Sequence, residues 1–134
     1  MTLVPLRSRP EAAKLLFELL AERPKEACIS HCVMPTWEQH IRFIQSNPYD
    51  RWFLIEENPG IVGSIYLTKL GEIGVSIFKQ YQGRGFAKAA ILDLMSRFPN
   101  RRLLANVAPA NEASSKLWES LGGKVVQKTY ELRA

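Results

Sequence analysis

The residues with the plainest chemical potential stand in one run, Gln80-Tyr81-Gln82-Gly83-Arg84-Gly85-Phe86-Ala87. Gly83 and Gly85 carry no Cβ and tolerate positive φ, so successive N–H groups can converge there on one point. A helix starting just after them adds first-turn N–H groups that lack intrahelical partners, together with the positive end of its dipole. A phosphate or pyrophosphate fits such a nest, and Lys79, Arg84 and Lys88 supply matching charge. The bland alternative is a plain strand-to-helix turn. Two phosphate motifs are excluded. The dinucleotide fingerprint needs a third glycine where Lys88 stands, and the Gly-Lys-Ser/Thr of a P-loop is absent. Cys28, His31, Cys32 and His40 could in principle ligate a metal, but their spacing matches no structural zinc pattern, so no metal is expected.

The elements that must position this loop follow from periodicity. Ile73, Val75 and Ile77 alternate with Gly74, Ser76 and Phe78 as in a strand, and Phe86, Ala90, Leu94, Met95 and Phe98 recur at helical spacing. Upstream, residues 2–4 form a short strand stopped by Pro5. Ser8-Arg9-Pro10-Glu11 reads as a capping box, followed by the stripe Ala12, Leu15, Leu16, Leu19 and Leu20 up to Pro24. Thr36-Trp37-Glu38-Gln39 is a second box, opening a helix expected to bury Trp37, Ile41 and Ile44 and ending at Asn47-Pro48. Residues 51–57 and 61–68 read as a hairpin around Asn58-Pro59-Gly60. Downstream, residues 101–107 read as a strand, Asn111 caps a helix carrying Leu117, Trp118 and Leu121, and Gly122-Gly123 closes it. Residues 124–132 read as a final strand. The order predicts a mixed sheet with helices packed on both of its faces.

The bulk properties narrow the classes. A chain of 134 residues suffices for one domain with a single core, and 46% hydrophobic with 23% charged residues is ordinary globular composition. The net charge of +5 favours an anionic partner. The basic residues are scattered and no nucleic-acid-binding motif accompanies them, so no nucleic-acid partner is expected. Two neighbouring cysteines form no disulfide framework, and neither a signal peptide nor a membrane span is legible; the expectation is a cytoplasmic protein without a membrane partner.

Gln82-x-x-Gly85-x-Ala87 after a strand resembles the acyl-CoA pyrophosphate loop of the GNAT superfamily of N-acetyltransferases, Gln/Arg-x-x-Gly-x-Gly/Ala. Asn111, Ser114, Trp118, Gly122 and Gly123 stand where the family has Asn-x-x-Ser-x-x-x-Tyr-x-x-x-Gly-Phe. The element order matches as well, over nearly the whole chain. The resemblance implies one α+β (mixed α/β) domain over residues 1–134, with a mostly antiparallel central sheet, a splayed parallel strand pair and helices on both faces. It also implies acetyl-CoA as co-substrate. Amides of Gly83, Arg84, Gly85, Phe86 and Ala87 would hold the pyrophosphate, with Gln82 as the motif's first cofactor-binding residue. The strand edge at Val75, Ser76 and Ile77 would pair with the pantetheine arm, and Asn111, Ser114 and Trp118 would line the same arm.

The family's usual acid toward the leaving thiolate is a tyrosine, and Trp118 replaces it. An indole N–H donates a hydrogen bond but is no useful acid near neutral pH. Ser114, Ser115 or water is left for that task, or the thiolate leaves unaided, since a thiol pKa near ~8.5 makes it a tolerable leaving group. The general base is assigned to Glu72, which starts the strand where several family members carry a carboxylate; Glu56 and Glu57 are weaker candidates. His31, Trp37 and His40 fall where family members bind the acceptor. The segments around Trp37, Trp52 and Tyr66 look like the branch acetylating amino sugars on nucleotide carriers, and also like the branch acetylating protein N-termini. The reading is therefore an N-acetyltransferase acting on a primary amine of a small molecule. A CoA-binding module without transfer is the competitor from another class, and a homodimer is left open.

Overall fold

The computed structural model describes residues 1–24 and 33–134. In chain order these form β1 (Thr2–Pro5), α1 (Ala12–Glu22), α2 (Trp37–Gln45), β2 (Arg51–Glu57), β3 (Gly60–Leu67), β4 (Ile73–Ile77), α3 (Phe86–Arg97) and α4 (Glu112–Ser120). Short 3-10 turns at Leu6–Ser8 and Lys79–Tyr81 follow β1 and β4. The four strands lie in the order β1-β2-β3-β4, every neighbouring pair antiparallel. A parallel contact extends the sheet at one point, where Leu104 bridges Glu72. This is the expected α+β architecture.

Alternation along the strands sorts the core into two layers. Phe53 and Ile55 of β2, Ile65 of β3 and Ile73 of β4 pack with Ala90, Ile91 and Leu94 of α3, while Leu117, Trp118 and Leu121 close over the same cluster. On the other face Leu54 and Phe78 meet Leu16 and Leu19 of α1 and Ile44 of α2. Each fully buried aliphatic side chain removes enough surface from water to contribute about 1.5–3 kcal/mol.

Local chemistry explains where the helices begin. Thr36 caps α2 through the anticipated box: its hydroxyl accepts from the Gln39 N–H at 3.2 Å, and the Gln39 side chain accepts from the Thr36 N–H at 2.9 Å. The expected box at Ser8 does not form. Ser8 Oγ instead donates to the Pro5 carbonyl at 2.6 Å within the 3-10 turn, and α1 starts at Ala12 without a side-chain cap. Burial on α2 also differs from expectation. His40 and Ile44 are the buried residues, while Trp37 is 44% exposed and meets Phe17 edge-on at 5.2 Å. His40 decides this rotation by bonding to α1, which carries Trp37 to the rim.

Two strand expectations are corrected. Residues 101–107 pair only at Leu104, and residues 124–132 form no strand, leaving Val125, Tyr130 and Leu132 exposed. An apolar alternation states which residues share a face, but a strand also needs a backbone partner along its length. Among the described residues neither segment finds one.

Candidate active site

The expected anion nest has the backbone it requires. Gly83 and Gly85 adopt φ of 78° and 81°, and Gly85 is the residue from which α3 starts. Neither position would bring an added Cβ within 4 Å of another atom, so the glycines serve backbone conformation rather than close packing. Among the described residues no oxygen accepts from the N–H groups of residues 83–88, while the Gly85 carbonyl accepts from Ala89 to start the helix. The loop is exposed, and the Arg84 guanidinium lies 5.8 Å from the Tyr81 ring centre. Gln82 is committed elsewhere: its side-chain amide donates to the Ile77 carbonyl at 3.0 Å, pinning the loop to the end of β4.

Register determines which way the β4 backbone faces. Thr68 N–H donates to Glu72 and Phe78 N–H to Val62, so the even-numbered residues between them bond to β3. Ile73, Val75 and Ile77 therefore direct their groups to the opposite edge. Ile73 N–H donates to Leu104 at 2.7 Å, and Leu104 N–H to Gly71 at 2.8 Å. Among the described residues pairing stops after that bridge, leaving Val75 with both main-chain groups and Ile77 with its N–H on an open edge. Ser76 points its backbone toward Ser64 on β3 instead. The open edge begins at Glu72 and runs toward the glycine nest.

Asn111 caps α4, its side-chain oxygen accepting from the Ser114 N–H at 3.2 Å. Ser114 Oγ in turn accepts from the Trp118 indole N–H at 3.2 Å, leaving its own hydrogen free for another partner. Ser115 is partly buried one residue on, its N–H donating to the Asn111 carbonyl at 3.2 Å. At the closed end of the edge, Glu72 has one carboxylate oxygen against Thr68 Oγ1 at 3.4 Å and the other accepting from the Asn106 side-chain amide. Its N–H donates to Thr68 Oγ1 at 3.0 Å, so the residue is fixed by both backbone and side chain.

Spacing in the sequence did not single out Thr68, Asn106, Tyr66 or Tyr49 for this site. Tyr66 shares the strand face of Thr68 and pairs across the sheet with Gly74. A Cβ at Gly74 would lie 2.0 Å from Tyr66 Cζ and 2.3 Å from its oxygen, so the phenol occupies the space a side chain would take. The pairing of a tyrosine with a glycine one strand away was the available signal, but it is visible only once register is known. Tyr49 stacks on Tyr66 with ring centres 3.9 Å apart and planes 4° apart, and Trp52 stands edge-on to Tyr49 at 4.7 Å. Burial raises both phenols above the ordinary tyrosine range. Interaction with Tyr66 raises Tyr49 further, whereas the neighbouring Tyr49 lowers Tyr66; Glu72 also raises Tyr66, and Arg23 lowers it.

The acceptor-site expectations on the first two helices fare differently. His40 is 3% exposed, and its Nε2 donates to the Ala13 carbonyl at 2.8 Å, so it joins α2 to α1 rather than facing a cleft. Trp37 lies on the rim beside His40, with ring centres 5.7 Å apart. His31, Cys28 and Cys32 lie outside the described residues. Among the described residues no cluster of three or more metal-ligating side chains forms, and no helix is long and apolar enough to cross a membrane.

The chain as a whole has counterparts among known proteins. Residues 1–124 match the model of the acetyltransferase (GNAT) domain. No curated protein matches the chain significantly. Among solved structures, an acetyltransferase from Thermus thermophilus superposes with a TM-score of 0.75 at 24% identity, covering 94% of this chain and 88% of its own. A ribosomal-protein-alanine N-acetyltransferase from Brucella melitensis gives 0.67 at 16% identity, covering 90% and 82%. A GNAT superfamily phosphinothricin acetyltransferase from Sinorhizobium meliloti, in complex with acetyl-CoA, gives 0.63 at 21% identity, covering 90% and 73%. Those structural likenesses concern the fold, whereas the domain match spans nearly the whole chain: the protein belongs to the GNAT acetyltransferase family and is an acetyl-CoA-dependent N-acetyltransferase.

Proposed function

We propose that the protein transfers the acetyl group of acetyl-CoA to the primary amine of a small molecule by direct attack in a ternary complex. The observation that carries this reading is the open β4 edge at Val75 and Ile77, which runs between the N–H donors of residues 83–88, left without acceptors among the described residues, and the anchored Glu72 carboxylate. A ligand with a diphosphate at one end, amides in its middle and a thioester at the other matches that sequence of groups in order. The pyrophosphate lies on the amides of Gly83, Arg84, Gly85, Phe86 and Ala87. The pantetheine amides bond to the Val75 and Ile77 edge, and the Asn111 end of α4 faces the arm.

The chemistry follows from the same placement. Glu72 takes one proton from the ammonium group of the acceptor and releases it to water, leaving a lone pair on nitrogen. That nitrogen attacks the thioester carbon, forming a C–N bond, while the Val75 N–H stabilises the oxyanion. As the C–S bond breaks, nitrogen sheds its second proton and the thiolate takes one up. The Ser114 hydroxyl, which accepts from Trp118, relays that proton, giving its own hydrogen to sulfur and taking up the one nitrogen sheds, and Ser115 is the neighbouring alternative. Products are the N-acetylated amine, free CoA and the proton passed through Glu72.

Acetyl-CoA at a hundred times its Kd adds about 2.7 kcal/mol of stability, readable as a rise in Tm. Thiol release is then followed with a panel containing a nucleotide-linked amino sugar, a polyamine and a peptide with a free N-terminus. An unchanged Tm at saturating acetyl-CoA sinks the reading. A Tm rise with no thiol release from any amine favours a CoA-holding module without transfer. A second acceptor reading, a protein N-terminus, has the support of the Brucella neighbour's named substrate, and turnover of the peptide alone would favour it.

A further inference from the structure

The acceptor side of β4 carries one polar group that the transfer chemistry above leaves unused, the Tyr66 hydroxyl. It lies over Gly74, one residue from the Val75 N–H, on the same face of the sheet as Glu72. Its position is overdetermined: the ring is stacked on Tyr49 at 3.9 Å, and the absent Gly74 side chain makes room for it. A phenol has one hydrogen to give and accepts through the same oxygen. The stacked Tyr49 phenol can give its hydrogen to that oxygen, leaving the Tyr66 hydrogen for an outside partner. No hydrogen bond joins Tyr66 directly to Glu72, although the two lie near enough to interact electrostatically. The carboxylate and the phenol O–H therefore present complementary functions on one face, an acceptor for an ammonium group and a donor for an oxygen.

Resting on the acetyltransfer reading above, we infer that the acceptor is an amine bearing an oxygen a few bonds from its nitrogen, an amino alcohol, amino sugar or amino acid, with Glu72 receiving the ammonium and the Tyr66 O–H donating to that oxygen. Tyr66 is then a specificity-determining residue that touches substrate. A site built around a partly buried, fixed donor discriminates against an acceptor lacking the matching oxygen, because the donor then loses its partner as the substrate covers it. Gly74 is required because any side chain there displaces the phenol.

The test uses matched acceptors, ethanolamine against propylamine and glucosamine against cyclohexylamine, with kcat/KM measured at saturating acetyl-CoA. The paired amines differ in basicity, so the quantity read is the change in their ratio on Tyr66→Phe, in which basicity cancels. Tyr66→Phe keeps the stacked ring, and an undiminished Tm rise with acetyl-CoA verifies that the variant is folded and holds cofactor. The expected result is a fall of roughly tenfold in the preference for the oxygen-bearing amine, within the range for a lost substrate hydrogen bond. Gly74→Ala, which keeps the Tyr66 hydroxyl but displaces it, should lose the preference likewise while retaining the acetyl-CoA shift. A ratio that changes less than about threefold in Tyr66→Phe overturns the inference while leaving acetyltransfer standing. Failure of acetyl-CoA to shift the wild-type Tm overturns both, as does wild-type inertness toward every amine tested.

Discussion

The two sides of β4 are built from different material. Toward the glycine loop the groups on offer are main chain: the Val75 and Ile77 edge and the N–H groups of residues 83–88. Toward the acceptor they are side chains drawn from distant segments, with Thr68 and Asn106 on Glu72, and Tyr49 on Tyr66 over Gly74. A main-chain site is specified by conformation, so a few glycines and a strand edge suffice whatever the neighbouring side chains are. A side-chain site is specified by which residues the fold brings together. In the proposed acetyl transfer the constant half of the substrate pair would meet the first kind of surface and the variable half the second, a division that would let the acceptor change while the cofactor site stays as it is.

Glu72→Gln offers the sharpest separation of the two sides. Removing the proposed base should lower kcat by about 10²–10⁴-fold, while the Tm rise with acetyl-CoA persists. A parallel loss of both would mean that the sides are not independent. Gly85→Val attacks the other side. Its φ of +81° costs an L side chain about 1–2 kcal/mol, and no atom lies within 4 Å of the new Cβ, so the damage is conformational. Acetyl-CoA affinity should fall roughly tenfold, with kcat at saturating cofactor within a few-fold of wild type. Steady-state kinetics with both substrates varied checks each variant.

Smaller effects refine the contrast. Asn111→Ala removes the acceptor for the Ser114 N–H and should lower stability by about 1 kcal/mol in urea unfolding. The phenol pair sets a dependence on pH. Both tyrosines ionise above the ordinary value of 10.0 in the native state, so their contribution to stability is full below that pH. It is lost as pH climbs past 10 toward the raised native values, because the unfolded chain releases those protons first. Tyr49→Phe removes one of the two groups, so its stability should decline less steeply than that of wild type as the solution is made more alkaline through that range. Urea unfolding of both proteins on either side of it decides the point.

Much of the backbone of the proposed cofactor side was legible because its signals are local. The positive-φ positions at Gly83 and Gly85, the strand before them and the helix after them are all encoded in one short contiguous stretch, and so are the Thr36 box and the Asn111 cap in theirs. The failures arise where a local signal has a nonlocal competitor or lacks a nonlocal partner. Ser8 had a capping box in its sequence but bonded to Pro5 in a 3-10 turn. His40 looked like a histidine for a cleft until the Ala13 carbonyl claimed it. Residues 124–132 alternate as a strand does, yet alternation supplies no edge on which to pair.

What the amino-acid sequence determined by itself is the kind of surface a diphosphate and an amide arm can use, since glycine conformations, caps and strand periods are settled by short-range sterics and hydrogen bonding. Only the tertiary structure decided the acceptor side. Tyr49, Tyr66, Glu72 and Asn106 gain their meaning from register and from the opening of the chain after Leu104, and these are set by which strands pair and which faces pack rather than by any residue's immediate neighbours.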